Sequence, residues 1–256
     1  KYHNISHQLN MAKTDWSWAG LIFDYNLDGN EDIFVTNGYR KYGSDNDSRI
    51  KINQTKIEYN NRVPLEMKKR LYDELPSEKL SNLLYKNEGN LTFNEVGEES
   101  NILEPSFSNG AAYADLDNDG DLEIVVNNID DNAFIYKNLS VENNLGNYLK
   151  VELKGNLSEN FAKGTIYFGK SSKIKESKRV RGYLSSVSDE LHFGLGKVSK
   201  IDSLVIQWSS GNEEVIYEIE ANRTISVNED NSILANSINN DLKSIFSRVN
   251  NFIKYS

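Results

Sequence analysis

The feature that most restricts the fold is an internal repeat. Set against itself at an offset of 91, the chain places Asp24-Tyr-Asn-Leu-Asp28-Gly29-Asn-Glu-Asp32 on Asp115-Leu-Asp-Asn-Asp119-Gly120-Asp-Leu-Glu123. The match extends on both sides: Ile33-Phe-Val-Thr-Asn37 falls on Ile124-Val-Val-Asn-Asn128, Ala19 to Phe23 on Gly110 to Ala114, and Tyr2-x-x-Ile5 on Phe93-x-x-Val96. The runs are short, rich in aromatic or β-branched residues, and bounded by Asn, Asp and Gly, so each unit reads as a lead-in strand, a short strand, an acidic loop and a second strand. A repeated unit of this size cannot bury its apolar face alone and must stack on its neighbours.

Unit two closes with Phe134-Ile-Tyr-Lys-Asn138, and unit one with Leu83-Leu-Tyr-Lys-Asn87, about 40 residues later relative to its loop. The excess predicts an insertion from about Tyr39 to Leu80. Within it, Pro64-Leu-Glu-Met-Lys-Lys-Arg-Leu-Tyr-Asp-Glu-Leu75-Pro76 predicts one short helix, with Pro at its start and Pro as its stop. Without the insertion the repeat is 51 residues long, near the ~40–50 of a propeller blade. Residues 1–140 are therefore expected to form two propeller-type blades. A propeller typically closes with about four to eight, so the expected neighbours are further blades of a longer parent or a second copy of the chain. In the tail, residues 230–256, Phe246-Ser-Arg-Val249 repeats the lead-in Phe93-Asn-Glu-Val96, while Leu234, Ile238, Leu242, Ile245, Val249 and Ile253 also suit an amphipathic helix.

The loops have the chemistry of a hard-cation cage. Calcium takes about six to eight oxygen ligands. In D-x-[DN]-x-D-G-x-x-[DE], side chains one, three and five converge, Gly at six permits the left-handed turn, carbonyl seven faces the ion and carboxylate nine completes the cage. Unit one offers Asp24, Asn26, Asp28, the carbonyl of Asn30, and Asp32; unit two offers Asp115, Asp117, Asp119, the carbonyl of Asp121, and Glu123. An EF-hand would need Glu at position twelve, where Val35 and Val126 stand inside strand-like runs. The extra carboxylate of unit two predicts tighter Ca2+ binding there.

With their flanking sequences, Trp16-Ser-Trp-Ala-Gly-Leu-Ile-Phe-Asp24 and Ser106-Phe-Ser-Asn-Gly-Ala-Ala-Tyr-Ala-Asp115, the loops resemble the FG-GAP or VCBS repeats of integrin-α-like β-propellers. That resemblance implies calcium loops joining the first two strands of a blade. Downstream, Arg181-Gly-Tyr-Leu-Ser-Ser-Val-Ser-Asp-Glu-Leu-His-Phe-Gly-Leu-Gly196, Val205-Ile-Gln-Trp-Ser-Ser-Gly211 and Asn222-Arg-Thr-Ile-Ser-Val227 resemble the ASPIC/UnbV module. It accompanies such blades in cartilage acidic protein and in bacterial surface proteins. The resemblance implies a small β-sandwich-like domain over residues 147–229, and patterning independently makes 147–228 all-β: Tyr148–Leu153, Thr165–Phe168, Leu204–Trp208, Val215–Ile219 and Thr224–Val227 read as strands, with a hairpin turn at Ser209-Ser-Gly-Asn212. The expected fold is all-β throughout, apart from the inserted helix.

Composition narrows the function. A net charge of −9 over 256 residues disfavours a nucleic-acid partner, and no apolar run approaches the roughly 20 residues of a membrane span. With no cysteine, disulfides, thiolate zinc sites and Cys nucleophiles are excluded. The three histidines do not assemble a catalytic set in sequence: His3 and His7 sit in the lead-in, and His192 in a strand beside Ser185, Ser186, Ser188 and Asp189. The expectation is a non-enzymatic, calcium-binding scaffold at the cell surface or outside the cell, engaging a protein or carbohydrate ligand. The alternative is a component of a carbohydrate-processing or nutrient-uptake assembly, for which Trp16, Trp18 and Tyr39 offer stacking rings.

Overall fold

The computed structural model describes residues 3–9, 11–155 and 159–234. It is built of strands, with two α-helices and one 3-10 turn. Strands β1 (Ser17–Phe23), β2 (Asp32–Asn37), β3 (Leu83–Asn87) and β4 (Phe93–Glu95) form one antiparallel sheet in that order, and β5 (Ser108–Ala114), β6 (Glu123–Asn128) and β7 (Phe134–Tyr136) form another. The repeat holds at the level of register. Phe23 faces Asp32 and Gly20 faces Val35, then an extra residue on β1 bulges before Ser17 meets Asn37. Likewise Ala114 faces Glu123, Ala111 faces Val126, and a bulge precedes Ser108 opposite Asn128. Ile33 pairs with Tyr85 as Ile124 pairs with Tyr136. Pairing is thus offset by 91 in the first two strands and 51 in the third, and the insertion leaves no trace in the ladder.

The two sheets share a core. Ala19, Leu21 and Phe23 alternate inward from β1 while Gly20 and Ile22 face out. They meet Phe34 and Leu84 of their own sheet and Ala111, Ile124 and Val126 of the other. Phe23 and Tyr113 stack with centroids 4.6 Å apart. At the β1 bulge, Thr36 Oγ1 accepts the Ala19 amide at 2.8 Å and donates to the Asn109 carbonyl at 2.6 Å, tying the first sheet to β5.

The insertion carries two helices, α1 (Asn46–Glu58) and α2 (Leu65–Asp73). The second lies inside the expected segment. The first has no counterpart in the sequence reading, because Ile50, Ile52 and Ile57 do not form one apolar stripe. Its start is set by Asp45, whose side chain accepts from the Ser48 amide. Thr55 is the single buried residue of the two helices.

Beyond residue 146 the chain forms a second core. Strands β8 (Asn147–Lys154), β9 (Lys163–Phe168), β10 (Ser171–Glu176), β13 (Leu191–Gly196), β14 (Lys200–Gln207), β15 (Asn212–Glu220), β16 (Arg223–Asn228) and β17 (Ile233–Leu234) are joined by a small ribbon of β11 (Val180–Arg181) and β12 (Ser185–Ser186). One sheet runs β13-β8-β16, with β16 parallel to β8, and the other runs β10-β9-β14-β15-β17. Leu149, Val151, Phe193 and Val227 from the first pack on Ile166, Leu204, Ile206 and Ile219 from the second. The expected hairpin turn is present, with Gly211 at φ +95° and Trp208 pairing with Asn212. The lead-in or helix expected around Phe246 and Val249 lies outside the described residues.

Candidate metal centre

Each acidic loop joins the first two strands of its sheet, and the two loops have the same backbone. Gly29 and Gly120 take φ of +95° and +108°, and two residues earlier Leu27 and Asn118 take 59° and 62°. A left-handed conformation is uncommon at Leu, yet Leu27 is fully buried and its carbonyl accepts the Gly196 amide at 2.8 Å. Gly146 must be Gly for the same approach: a Cβ there would stand 2.1 Å from the Leu27 oxygen.

The ninth residue of each loop is a clasp. Asp32 accepts from the Tyr25 amide at 3.3 Å and from the Asn87 amide, at the end of β3, at 2.7 Å. Glu123 accepts from the Leu116 amide at 2.7 Å and from the Asn138 amide, just past β7, at 3.3 Å. The side-chain Nδ2 groups of Asn87 and Asn138 complete the clasp by donating to the carbonyls of Glu31 and Leu122. Burial, with Asp24 and Asp28 nearby, pushes the Asp32 carboxyl up to about 8.

The first residue is a buried carboxylate in both loops. Asp24 Oδ2 accepts the Gly29 amide at 2.7 Å, and Asp115 Oδ2 lies 3.3 Å from Lys150 Nζ. In each, Oδ1 is buried without a hydrogen-bond partner. Burial and Asp28 push Asp24 up to about 7. Both loops face lysines of the C-terminal half: Lys173 on β10 donates to the Gly29 carbonyl and to the Gly194 carbonyl, Lys175 pairs with Glu31, and Lys150 on β8 bridges Asp115 and Glu190 at 3.3 Å each.

The remaining positions differ between the loops. In the first, Asn26 Nδ2 donates to Asp28 Oδ2 and Asn26 Oδ1 accepts the Asp28 amide, while the Asn30 amide donates to Asp28 Oδ1. In the second, carboxylate oxygens of Asp115, Asp117 and Glu123 lie within 4.8 Å of one another, and those of Asp119, Asp121 and Glu142 form a second such group. The sequence reading gave Asp121 a role through its carbonyl. The structure also buries its carboxyl, where desolvation, Asp119 and Glu123 push it up to about 7. Glu142 was not foreseen, since nothing in the motif extends that far. Asn87 and Asn138 were legible as the repeated Tyr-Lys-Asn, though not as the clasp.

Elsewhere, His192 Nε2 lies 2.8 Å from the Gly120 carbonyl, and burial lowers the ring's pKa to about 4. Ser185 donates to the Tyr183 carbonyl and Asp189 pairs with Arg179. His3 and His7 are exposed. Trp16 packs on Tyr39 with centroids 4.4 Å apart and Trp18 on Tyr183 at 4.7 Å, beside a cleft of about 700 Å³ lined by Tyr42, Pro76 and Glu78.

The donor set suits a hard cation. A buried carboxylate oxygen with no donor costs stability, and the loops concentrate such oxygens with no sulfur or imidazole ligand among them, as oxygen-seeking ions such as calcium or magnesium require. Residues 162–234, most of the second core, match the family described as ASPIC and UnbV. No curated protein matches the chain. Among the described residues no helix is long and apolar enough to cross a membrane.

Proposed function

We propose that the protein is a calcium-binding repeat protein of the cell surface or exterior, in which two FG-GAP/VCBS-like blades carry cation loops against the ASPIC/UnbV domain and serve as a non-enzymatic binding scaffold. The observation that carries this reading is the matched pair of orphaned oxygens, Asp24 Oδ1 and Asp115 Oδ1, at the same position of two loops with the same register. One such atom is an accident of packing; the same atom in both copies is a shared requirement for positive charge. Asp24, Asn26, Asp28, the Asn30 carbonyl and Asp32 would hold one ion, and Asp115, Asp117, Asp119, the Asp121 carbonyl and Glu123 the other. Bound there, calcium would neutralise the carboxylates and cross-link each loop to the strands it joins.

The blade reading draws support from the contact of β1 with β5, the first strands of the two sheets, and from exposed Ile22 and Ile135, which a neighbouring blade or a second copy would cover. The ligand of the scaffold would be a protein or carbohydrate at the cell surface, and the cartilage acidic protein type of architecture is the resemblance that suggests it.

Calcium titrated calorimetrically into the chelator-stripped chain should reveal both loop sites. Asp24→Ala should remove one and Asp115→Ala another, and the melting temperature should rise with calcium by mass action. Site number and melting temperature unchanged by both substitutions and by chelator would refute the reading.

A further inference from the structure

We infer that the second loop carries an additional hard-cation site, formed by the side chains of Asp119, Asp121 and Glu142, beside the cage that its repeat motif describes. The inference rests on the calcium reading through Asp119, whose carboxylate the two sites share, and through Asp121, which gives its carbonyl to the cage and its carboxylate to the additional site.

Three carboxylate oxygens, one from each residue, come within 4.8 Å of one another. They arrive from different places: Asp119 and Asp121 from the loop, Glu142 from the turn that follows β7. The Val141 amide donates to Asp121 Oδ2 at 2.9 Å and so brings the neighbouring Glu142 to the loop. Asp121 is completely buried, its Oδ1 meets no donor, and its carboxyl adjoins the Glu123 side chain of the cage as well. A buried, unpartnered carboxylate oxygen beside two further carboxylates is a strong electrostatic demand for a cation. Glu142 is exposed, so water can complete the coordination shell on that side. Lys137 meets part of the demand, lying 3.1 Å from both Glu142 and Asp117. Its side chain is 57% exposed, and its ammonium reaches neither Asp121 oxygen within ion-pair distance. It can therefore yield to a divalent ion.

The first unit is an internal control. The hydrogen bond from the Gly89 amide to Asn87 Oδ1 recurs as Ser140 to Asn138 Oδ1, so the 51-residue offset persists past the third strand. Under these offsets Asp28 corresponds to Asp119, but Asn30 stands where unit two has Asp121, and Leu91 where it has Glu142. Among the described residues, no three acidic side chains of the first loop converge as these do. The additional site belongs to one repeat only.

The test is calcium titration of the full, chelator-stripped 256-residue chain, carried to millimolar concentrations, the range of open extracellular sites. Wild type should bind at three sites. Glu142→Gln, at an exposed side chain that leaves folding untouched, should bind at two, and so should Asp121→Asn, which keeps the backbone carbonyl. Asp24→Ala and Asp115→Ala identify the loop sites independently. Two sites in wild type, one lost in Asp24→Ala and the other in Asp115→Ala, or Glu142→Gln and Asp121→Asn retaining the wild-type number, overturns the inference while leaving the loop sites standing. Loss of the calcium reading itself would show instead as indifference to Asp24→Ala and Asp115→Ala.

Discussion

At the scale of single residues, the two loops owe their shape to side chains that bond backbone amides and carbonyls. Asn138 is the most heavily committed. Its amide donates to the Tyr25 carbonyl at 2.7 Å and the Leu122 carbonyl at 3.1 Å, while its Oδ1 accepts from Ser140. It therefore ties the first loop to the second. Asn87, its counterpart, donates to Glu31 alone. Removing a fully buried donor leaves its acceptors unmet at about 1–3 kcal/mol. Asn138 is half-buried, so Asn138→Ala should lose stability toward the lower end of that range in urea unfolding, and Asn87→Ala less. Equal losses, or none, would mean that the backbone holds the loops without these amides. The Tyr-Lys-Asn repeat was visible in the sequence, but its role was not, because the partners of Asn138 include a carbonyl 113 positions away.

At the scale of elements, what decides legibility is whether an element buries an apolar face. Strands β1, β2, β5 and β6 do, and their aromatic or β-branched residues in repeat register made them readable. Strand β10, Ser-Ser-Lys-Ile-Lys-Glu, does not: it is a sheet edge whose Ile174 is exposed, and lysines on an edge discourage further pairing. Two of those lysines nevertheless reach the first acidic loop. Helix α1 was missed for the same reason as β10. The insertion is held to its root by the Tyr42 amide on the Pro76 carbonyl at 2.8 Å and by the Tyr39–Glu78 bridge. Residues 44–75 lie beyond that root and bury little. Replacing them with a short Gly/Ser linker should leave the number of calcium sites unchanged; loss of folding or of a site would show that the helices support the sheet.

At the scale of the whole molecule, the loops are pressed between the repeat sheets and the C-terminal domain. A Cβ at Gly120 would stand 2.0 Å from the Tyr148 ring, and one at Gly194 would stand 1.9 Å from Asp24 Oδ2. His192 sits in this seam, stacked on Tyr148 at 6.2 Å and bonded to Gly120. Burial lowers its pKa to about 4 in the folded protein, against roughly 6.5 when unfolded. Below about 6.5 the unfolded chain takes up a proton that the folded one refuses, so this group's contribution falls as pH drops from there toward about 4. Asp24, Asp32 and Asp121, with raised pKa values, act in the opposite sense without a cation: their contribution grows as pH falls from about 8 and 7 toward the ordinary value of 3.8. The informative quantity is therefore the difference between wild type and His192→Gln. In chelator, acidification from pH 7 to 5 should lower the urea midpoint of wild type relative to the variant. A constant difference would place the imidazole in solvent.

The sequence by itself determined the two repeat units, their strand pairing offsets, the insertion between them, the all-β character of the C-terminal region and the acidic loops. Each of these is a local pattern: alternation, turn residues, a spacing of carboxylates along one short segment. Tertiary structure alone decided which carboxylates meet. It drew Glu142 to Asp119 and Asp121, turned the Asp121 side chain inward, and set Lys150 and Lys173 beside the first aspartates. The physical reason is that burial and charge pairing depend on distance through space. Asp24 and Lys173 lie far apart along the chain, and only packing the C-terminal domain on the loops brings them together.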